Sequence, residues 1–451
     1  MSLGAFSLNR RVFVPAFVWL AMVGLISCGG GYNSKTAAGQ LPERVLASQG
    51  STSVGSFGGL ILIDGYDDTF SRGNGVSAGS SPGLMAISPT RNVLAAFDIS
   101  SNGVFGVNTV NATALGHVQL PGLTSSMVIP TSNPIGYAAV PSASVSGYAF
   151  NGAIEEMNLS SGGFVASIAV PNAQTVVSNG VGSELLVFSS DSNSVTVLFP
   201  GNVSPPVDTS CLNNPPNSVC AIVPGFDRPV NAVISGTTAY ILNCGAECGG
   251  VQASVQTLDL GSLAIGTPIP VNGATVAFLS GSSLYVAGGG TPTGPLCTSI
   301  MTAAPTAAKY CGTLDIVNLN TMTDPYFNSP ATEIAVPDGY HDRIDMSVNG
   351  QLFVGSSDCS NVGNADNPVG EVRGCLAIYN TTNNSVIFPP DNGNVDGLQS
   401  FTTREIEYVA EGGNLRVYDT TKDILLINDY VPEGSINIVG YVGDVKAIDF
   451  F

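Results

Sequence analysis

Three short stretches carry the residue types from which binding and catalytic sites are commonly built. Asp227 and Arg228 in "FDRPVNAV", His341, Asp342 and Arg343 in "YHDRIDM", and Arg404 with Glu405 in "TTREIEY" each set a cation or imidazole beside a carboxylate. An arginine fork suits a carboxylate or phosphate ligand, and a neighbouring His and Asp could move a proton. The same pairs would serve equally as salt bridges and turn caps. No nucleophile elbow, phosphate loop or HExxH motif accompanies them. They therefore stand as candidate binding residues, with no catalytic set assigned.

Two further clusters offer oxygen atoms to a metal. "NGNVDG" (392–397) places oxygen side chains at alternate positions before Gly397, in the manner of a calcium loop, but Thr403 occupies the twelfth position where a glutamate would be needed. "DGYDD" (64–68) is a second acidic cluster. Asx-rich turns between strands arise for conformational reasons alone. No cofactor is expected, and calcium is the one metal for which the sequence has candidates.

Nine cysteines are present, and eight of them fall in neighbouring pairs: Cys211 with Cys220, Cys244 with Cys248, Cys297 with Cys311, and Cys359 with Cys375. Their spacing favours four local disulfides, each closing a small loop and contributing about 2–3 kcal/mol. A structural zinc at "CGAEC" would need four Cys or His ligands, and the chain has only His117 and His341.

The ninth cysteine has a different setting. Arg10 and Arg11 precede an apolar stretch over residues 12–26, and Ser27 stands before Cys28. This is the order of a secretory signal, too short and too interrupted by Pro15 for a mature spanning helix. The "LISC" at its end resembles the bacterial lipoprotein box, in which the cysteine takes a diacylglycerol and becomes the new N-terminus. That resemblance implies export, lipidation of Cys28 and membrane lipid as a partner. "NRRVFV" also resembles a twin-arginine signal, so the export route stays open. Gly29 is not the aspartate that retains some lipoproteins at the inner membrane, which points to the outer membrane or cell surface. The expected organisation is a signal over 1–27, a lipidated flexible tether over 28–54 and a folded domain over 55–451.

Losing the two signal arginines takes the formal charge from −19 to −21, against 33 acidic residues. No basic patch is available, which argues against nucleic acid. After residue 50 helical periodicity is almost absent, and short β-branched runs alternate with Gly, Asn, Ser and Pro. The runs repeat. An apolar alternation ending in Asp or Asn recurs as "LILIDG", "VFGVNT", "IEEMNL", "VQTLDL", "LDIVNL", "LAIYNT" and "LRVYDT", with "VTVLFP" (195–200) as a degenerate eighth copy. Upstream of most copies lies a strand–turn–strand unit such as "VAFLSGSSLYVAGG" (276–289), and a fourth strand such as "FVASIAVP" (164–171) follows.

Four strands recurring at a long period specify an all-β fold of four-stranded antiparallel propeller blades. Eight blades are counted, with seven as the alternative. Residues 436–451 are expected to supply the first two strands of a composite blade closed by the N-terminal "LILIDG". These motifs resemble YVTN-type, lactonase-like β-propeller repeats, which implies functions ranging from sugar-lactone hydrolysis to surface binding. The expected role is a membrane-anchored binding or scaffolding module at the cell envelope, with an envelope protein or glycan as partner. A lactonase-like hydrolase at the channel mouth is the alternative.

Overall fold

A computed structural model describes residues 33–37, 41–51, 58–202, 209–211, 219–289, 312–329, 332–336, 340–358, 375–389 and 393–449. Eight antiparallel sheets, each of four strands or of four with an added short strand, account for nearly all of them, and helix is confined to two short 3-10 turns among the described residues. Each sheet is one blade. The first strands of blades I to VIII are Val445–Asp449, Pro82–Ile87, Ser126–Val128, Ala173–Ser178, Pro229–Ser235, Val276–Ser280, Tyr340–Met346 and Val395–Ser400. Each touches the next, and Val395–Ser400 touches Val445–Asp449, so they form a closed ring around a central channel. The fold is an eight-bladed β-propeller.

The sequence pattern explains the packing. The middle strands are buried on both faces, because each blade is wedged between two others. Val93–Asp98 is buried at every position. Alternate side chains of one strand enter different cores: Ile241 packs towards blade IV, while Leu242 packs towards blade VI. One apolar core fills each of the eight junctions, including the junction between blades VIII and I.

All eight copies of the repeated motif are third strands. In seven, the terminal Asp or Asn folds back on the next turn: the Asn158 Oδ1 accepts from the Ser161 N–H at 2.9 Å, Asp259 from Ser262 at 2.7 Å, and Asn380 from Thr382 at 2.9 Å. The degenerate copy, Ser194–Leu198, ends without this cap. Its chain leaves the sheet and returns at Cys220–Pro224, and the Cys211–Cys220 disulfide closes that excursion. Cys244–Cys248 is also bridged, and Cys375 is disulfide-bonded. Cys28, Cys297, Cys311 and Cys359 lie outside the described residues.

Two expectations are corrected. Residues 33–37 and 43–49 are not tether: Asn33–Ala37 is an added outer strand of blade I, paired in parallel with Thr69–Val76, and Glu43–Gln49 is its second strand, with Val45, Leu46 and Ala47 all buried. The closing blade therefore takes four strands from the N-terminal side (Asn33–Ala37, Glu43–Gln49, Gly59–Asp64 and Thr69–Val76) and only Val445–Asp449 from the C-terminus. Ser435–Ile436, expected in that blade, pairs instead with the third strand of blade VIII. No helix among the described residues is long and apolar enough to cross a membrane.

Candidate functional site

Antiparallel neighbours alternate in direction, so the connections into each first strand and those between second and third strands share one rim. This is the entry rim. The connections between first and second strands, and between third and fourth, form the far rim. Asp227, Arg228 and residues 340–343 lie at the entry rim. Arg404 and Glu405 do not, because they follow the first strand of blade VIII rather than precede it.

On the far rim Arg404 acts as a clamp between blades VIII and I. Its guanidinium meets the Asp68 carboxylate through two bonds of 2.9 Å, and the Tyr408 hydroxyl joins the same carboxylate. Asp68, from the acidic "DGYDD" cluster, is thus occupied by a cation of the protein itself, and Asp64 caps the Tyr66 N–H at 3.1 Å. Glu405 is exposed, and its backbone carbonyl accepts from Thr420. The described end of "NGNVDG" is the extended strand Val395–Ser400 and not a looped cradle. Among the described residues no group of three or more His, Cys, Asp or Glu is arranged to hold a metal.

At the entry rim the expected residues divide by role. Asp227 organises the disulfide loop of blade V: one carboxylate oxygen accepts from Val251 and Gln252 N–H at 2.9 and 2.8 Å. A Cβ at Gly250 would stand 2.1 Å from the other oxygen, which accounts for the glycine there. A bulge at 340–343 interrupts the first strand of blade VII. It leaves Tyr340 on the rim, buries His341 completely and turns Asp342 aside. Asp342 accepts from the Ser357 N–H and hydroxyl at 2.9 and 2.6 Å and from Arg343 at 2.8 Å. Arg343 also donates to the Asp396 carbonyl at 2.6 Å, linking blades VII and VIII. His341 and Asp342 are adjacent in sequence, but His341 is wholly buried while the Asp342 carboxylate is taken up by Ser357 and Arg343.

Arg228 is placed differently. It lines an entry-rim cavity of about 250 Å³ together with Gln174, Phe188, Asp191, Ser192 and Tyr340. Its guanidinium lies 3.3 Å from the exposed Asp191 carboxylate. Both residues adopt left-handed backbone conformations, φ 56° for Arg228 and 58° for Asp191, which cost a non-glycine residue such as arginine about 1–2 kcal/mol. Strain of this kind is concentrated at functional sites. The Asn193 carboxamide oxygen, accepting from the Arg228 N–H at 3.2 Å, helps hold it. Loss of water around the Tyr340 phenol, and then the carboxylates of Glu247 and Asp342, push its pKa upward, so it remains a neutral hydroxyl donor.

Sequence reasoning found Arg228 but missed Gln174, Asp191 and Tyr340. Asp191 sits in the plain polar turn "SSDSNS". The repeat register marks that turn as a connection between second and third strands, and hence as part of the same rim.

Neither a comparison with protein-family models nor one with curated proteins finds a match. Solved structures do match. The dihydro-heme d1 dehydrogenase NirN, in complex with DHE, aligns over 94% of this chain and 78% of its own at 11% identity and a TM-score of 0.56. The periplasmic gluconolactonase PpgL of Pseudomonas aeruginosa aligns over 90% and 99% at 12% identity and 0.47. BamB of Moraxella catarrhalis aligns over 81% and 88% at 11% identity and 0.45. At such identities the likeness concerns the fold.

Proposed function

We propose that this chain is an exported binding module, held at the cell envelope by a lipid on Cys28, that takes a neutral glycan in the entry-rim cavity. The observation that carries this reading is the cavity's charge balance. Arg228 is offset by Asp191, and the whole protein carries a formal −19, so an anionic ligand meets repulsion rather than a free cation. What remains on offer is a guanidinium fork, a carboxylate, a carboxamide, serine hydroxyls and a phenol around the Phe188 and Tyr340 rings. A few placed polar groups on an apolar wall suit a small polyhydroxylated ligand. The complete burial of His341 and the engagement of the Asp342 carboxylate by Ser357 and Arg343 support binding over acid–base chemistry at that pair.

Titration of neutral oligosaccharides into the purified chain beginning at residue 29 tests the proposal. Arg228→Gly keeps the left-handed backbone without strain and removes the fork. It is expected to weaken glycan binding by about 1.5–3 kcal/mol, the worth of a charge-assisted contact, while the melting temperature stays close to wild type. Lactone turnover that depends on calcium and is lost in His341→Ala or Asp342→Asn would overturn it in favour of a hydrolase.

A further inference from the structure

The far-rim end of the junction between blades VII and VIII buries oxygen atoms for which the protein supplies few donors. Glu407 lies on the second strand of blade VIII, Ile406–Glu411, and is 0% exposed. No N–H or hydroxyl among the described residues donates to its carboxylate, and the group it meets is the Asp345 carboxyl. Val409, two residues along on the same face, packs in the core shared with blade VII, so strand alternation aims Glu407 into that junction. Thr420 is also 0% exposed and Gln351 is 6% exposed, and the Thr420 Oγ1 and Gln351 Oε1 likewise lack partners.

Register brings these groups together. Asp345, on the first strand of blade VII, accepts from the Ser400 N–H at 2.7 Å, and Ser400 is paired directly with Glu407. The two carboxyl groups face each other across the junction. Asp345 stands opposite Phe353, which makes Gln351 its diagonal neighbour on that face. Glu407 stands opposite Tyr418, which makes Thr420 its diagonal neighbour. Diagonal neighbours lie within reach of long side chains. None of the ion pairs among the described residues involves Asp345 or Glu407. Asp345 is half-buried and also accepts from the Met346 N–H at 2.9 Å, but a wholly buried Glu407 ionised beside a second carboxylate and without a cation is strongly unfavourable.

We propose that this junction is a binding site for a hard divalent cation, with Asp345, Glu407, the Gln351 carbonyl oxygen and the Thr420 hydroxyl as its ligands. Mixed carboxylate, amide and hydroxyl oxygens suit calcium, which accepts irregular coordination. Two carboxylates balance its charge, and the ion would staple blade VII to blade VIII, next to the closing blade.

The test is thermal unfolding of the chain beginning at residue 29, at pH 7.5, in millimolar CaCl2 and in EGTA. The wild type should melt about 2–5 °C higher with calcium, as expected for a ligand that binds only the folded state. Glu407→Gln should fold, melt at or above the wild type in EGTA, and show no calcium shift. Calorimetric titration of CaCl2 into EGTA-stripped wild type gives the same answer without a mutant, as one site per chain. Identical melting in calcium and EGTA overturns the proposal, as does a calcium shift that survives both Glu407→Gln and Asp345→Asn. A gain in melting temperature on acidification that Glu407→Gln removes, with no calcium shift in the wild type, would mean that the two carboxyls share a proton and no ion, and would also overturn it.

Discussion

Asp315 is wholly buried on the third strand of blade VI, where its carboxylate accepts from the Asn272 N–H at 2.9 Å and the Asn272 side-chain amide at 2.6 Å. Burial, and then the charge of Asp324, push its pKa up to about 8. An aspartate in the unfolded chain titrates near 3.9, so the folded state holds a proton that the unfolded chain would release. The stabilisation from this proton is fully present below about pH 4 and is lost progressively as the pH rises through 8. Melting curves at pH 5, 6, 7 and 8 should therefore fall with pH more steeply in the wild type than in Asp315→Asn, which cannot ionise. Parallel curves for the two proteins would mean that Asp315 is ionised throughout.

The strand Glu43–Gln49 decides whether the ring closes. It bonds to Val445–Asp449 on one side and to Gly59–Asp64 on the other, and each fully buried aliphatic side chain contributes about 1.5–3 kcal/mol. A chain beginning at residue 51 loses Val45, Leu46 and Ala47 from two cores and leaves two strand edges open to aggregation. It is expected to be poorly soluble or to melt far below a chain beginning at residue 29, and one beginning at residue 41, which lacks only the added outer strand Asn33–Ala37, should fall between them. The sequence misleads at this element for a physical reason. "ERVLASQ" begins with charges, lacks the terminal Asp or Asn and follows a segment of glycine, alanine and polar residues. Its one buried charge is satisfied only in the tertiary fold, where the Arg44 guanidinium donates to the Leu41 and Val110 carbonyls. The third strands were legible because their Asx cap is local chemistry, repeated with each blade. Arg228 was legible from its place before a first strand. Asp191 and Tyr340 were not, because their approach depends on three blades curving around one channel.

At the scale of the whole molecule, both ends of the described propeller leave from the far rim. Glu43 and Asp449 are paired there, while the Arg228 cavity opens on the entry rim. Upstream of Glu43, Asn33–Ala37 pairs in parallel with the outer strand of blade I, with Asn33 opposite Phe70 near the far-rim end of that strand. With lipid on Cys28, only residues 29–32 separate the anchor from this strand, and four residues reach at most about 14 Å, so the far rim stays near the membrane and the cavity faces away from it. The exposed Tyr66 and Val348 belong to far-rim turns of blades I and VII, and Val251 to an entry-rim loop. Trp19 is the only tryptophan of the chain, so a protein cleaved before Cys28 offers a dark background for an introduced one. In the lipidated protein on vesicles with spin-labelled headgroups, Tyr66→Trp and Val348→Trp fluorescence should be quenched, and Val251→Trp fluorescence should not. Adding Cys28→Ser should remove the quenching at both far-rim positions by releasing the protein from the vesicle. Quenching that is equal on the two rims, or stronger at residue 251, would mean that the cavity lies against the bilayer and that its ligand must be sought there.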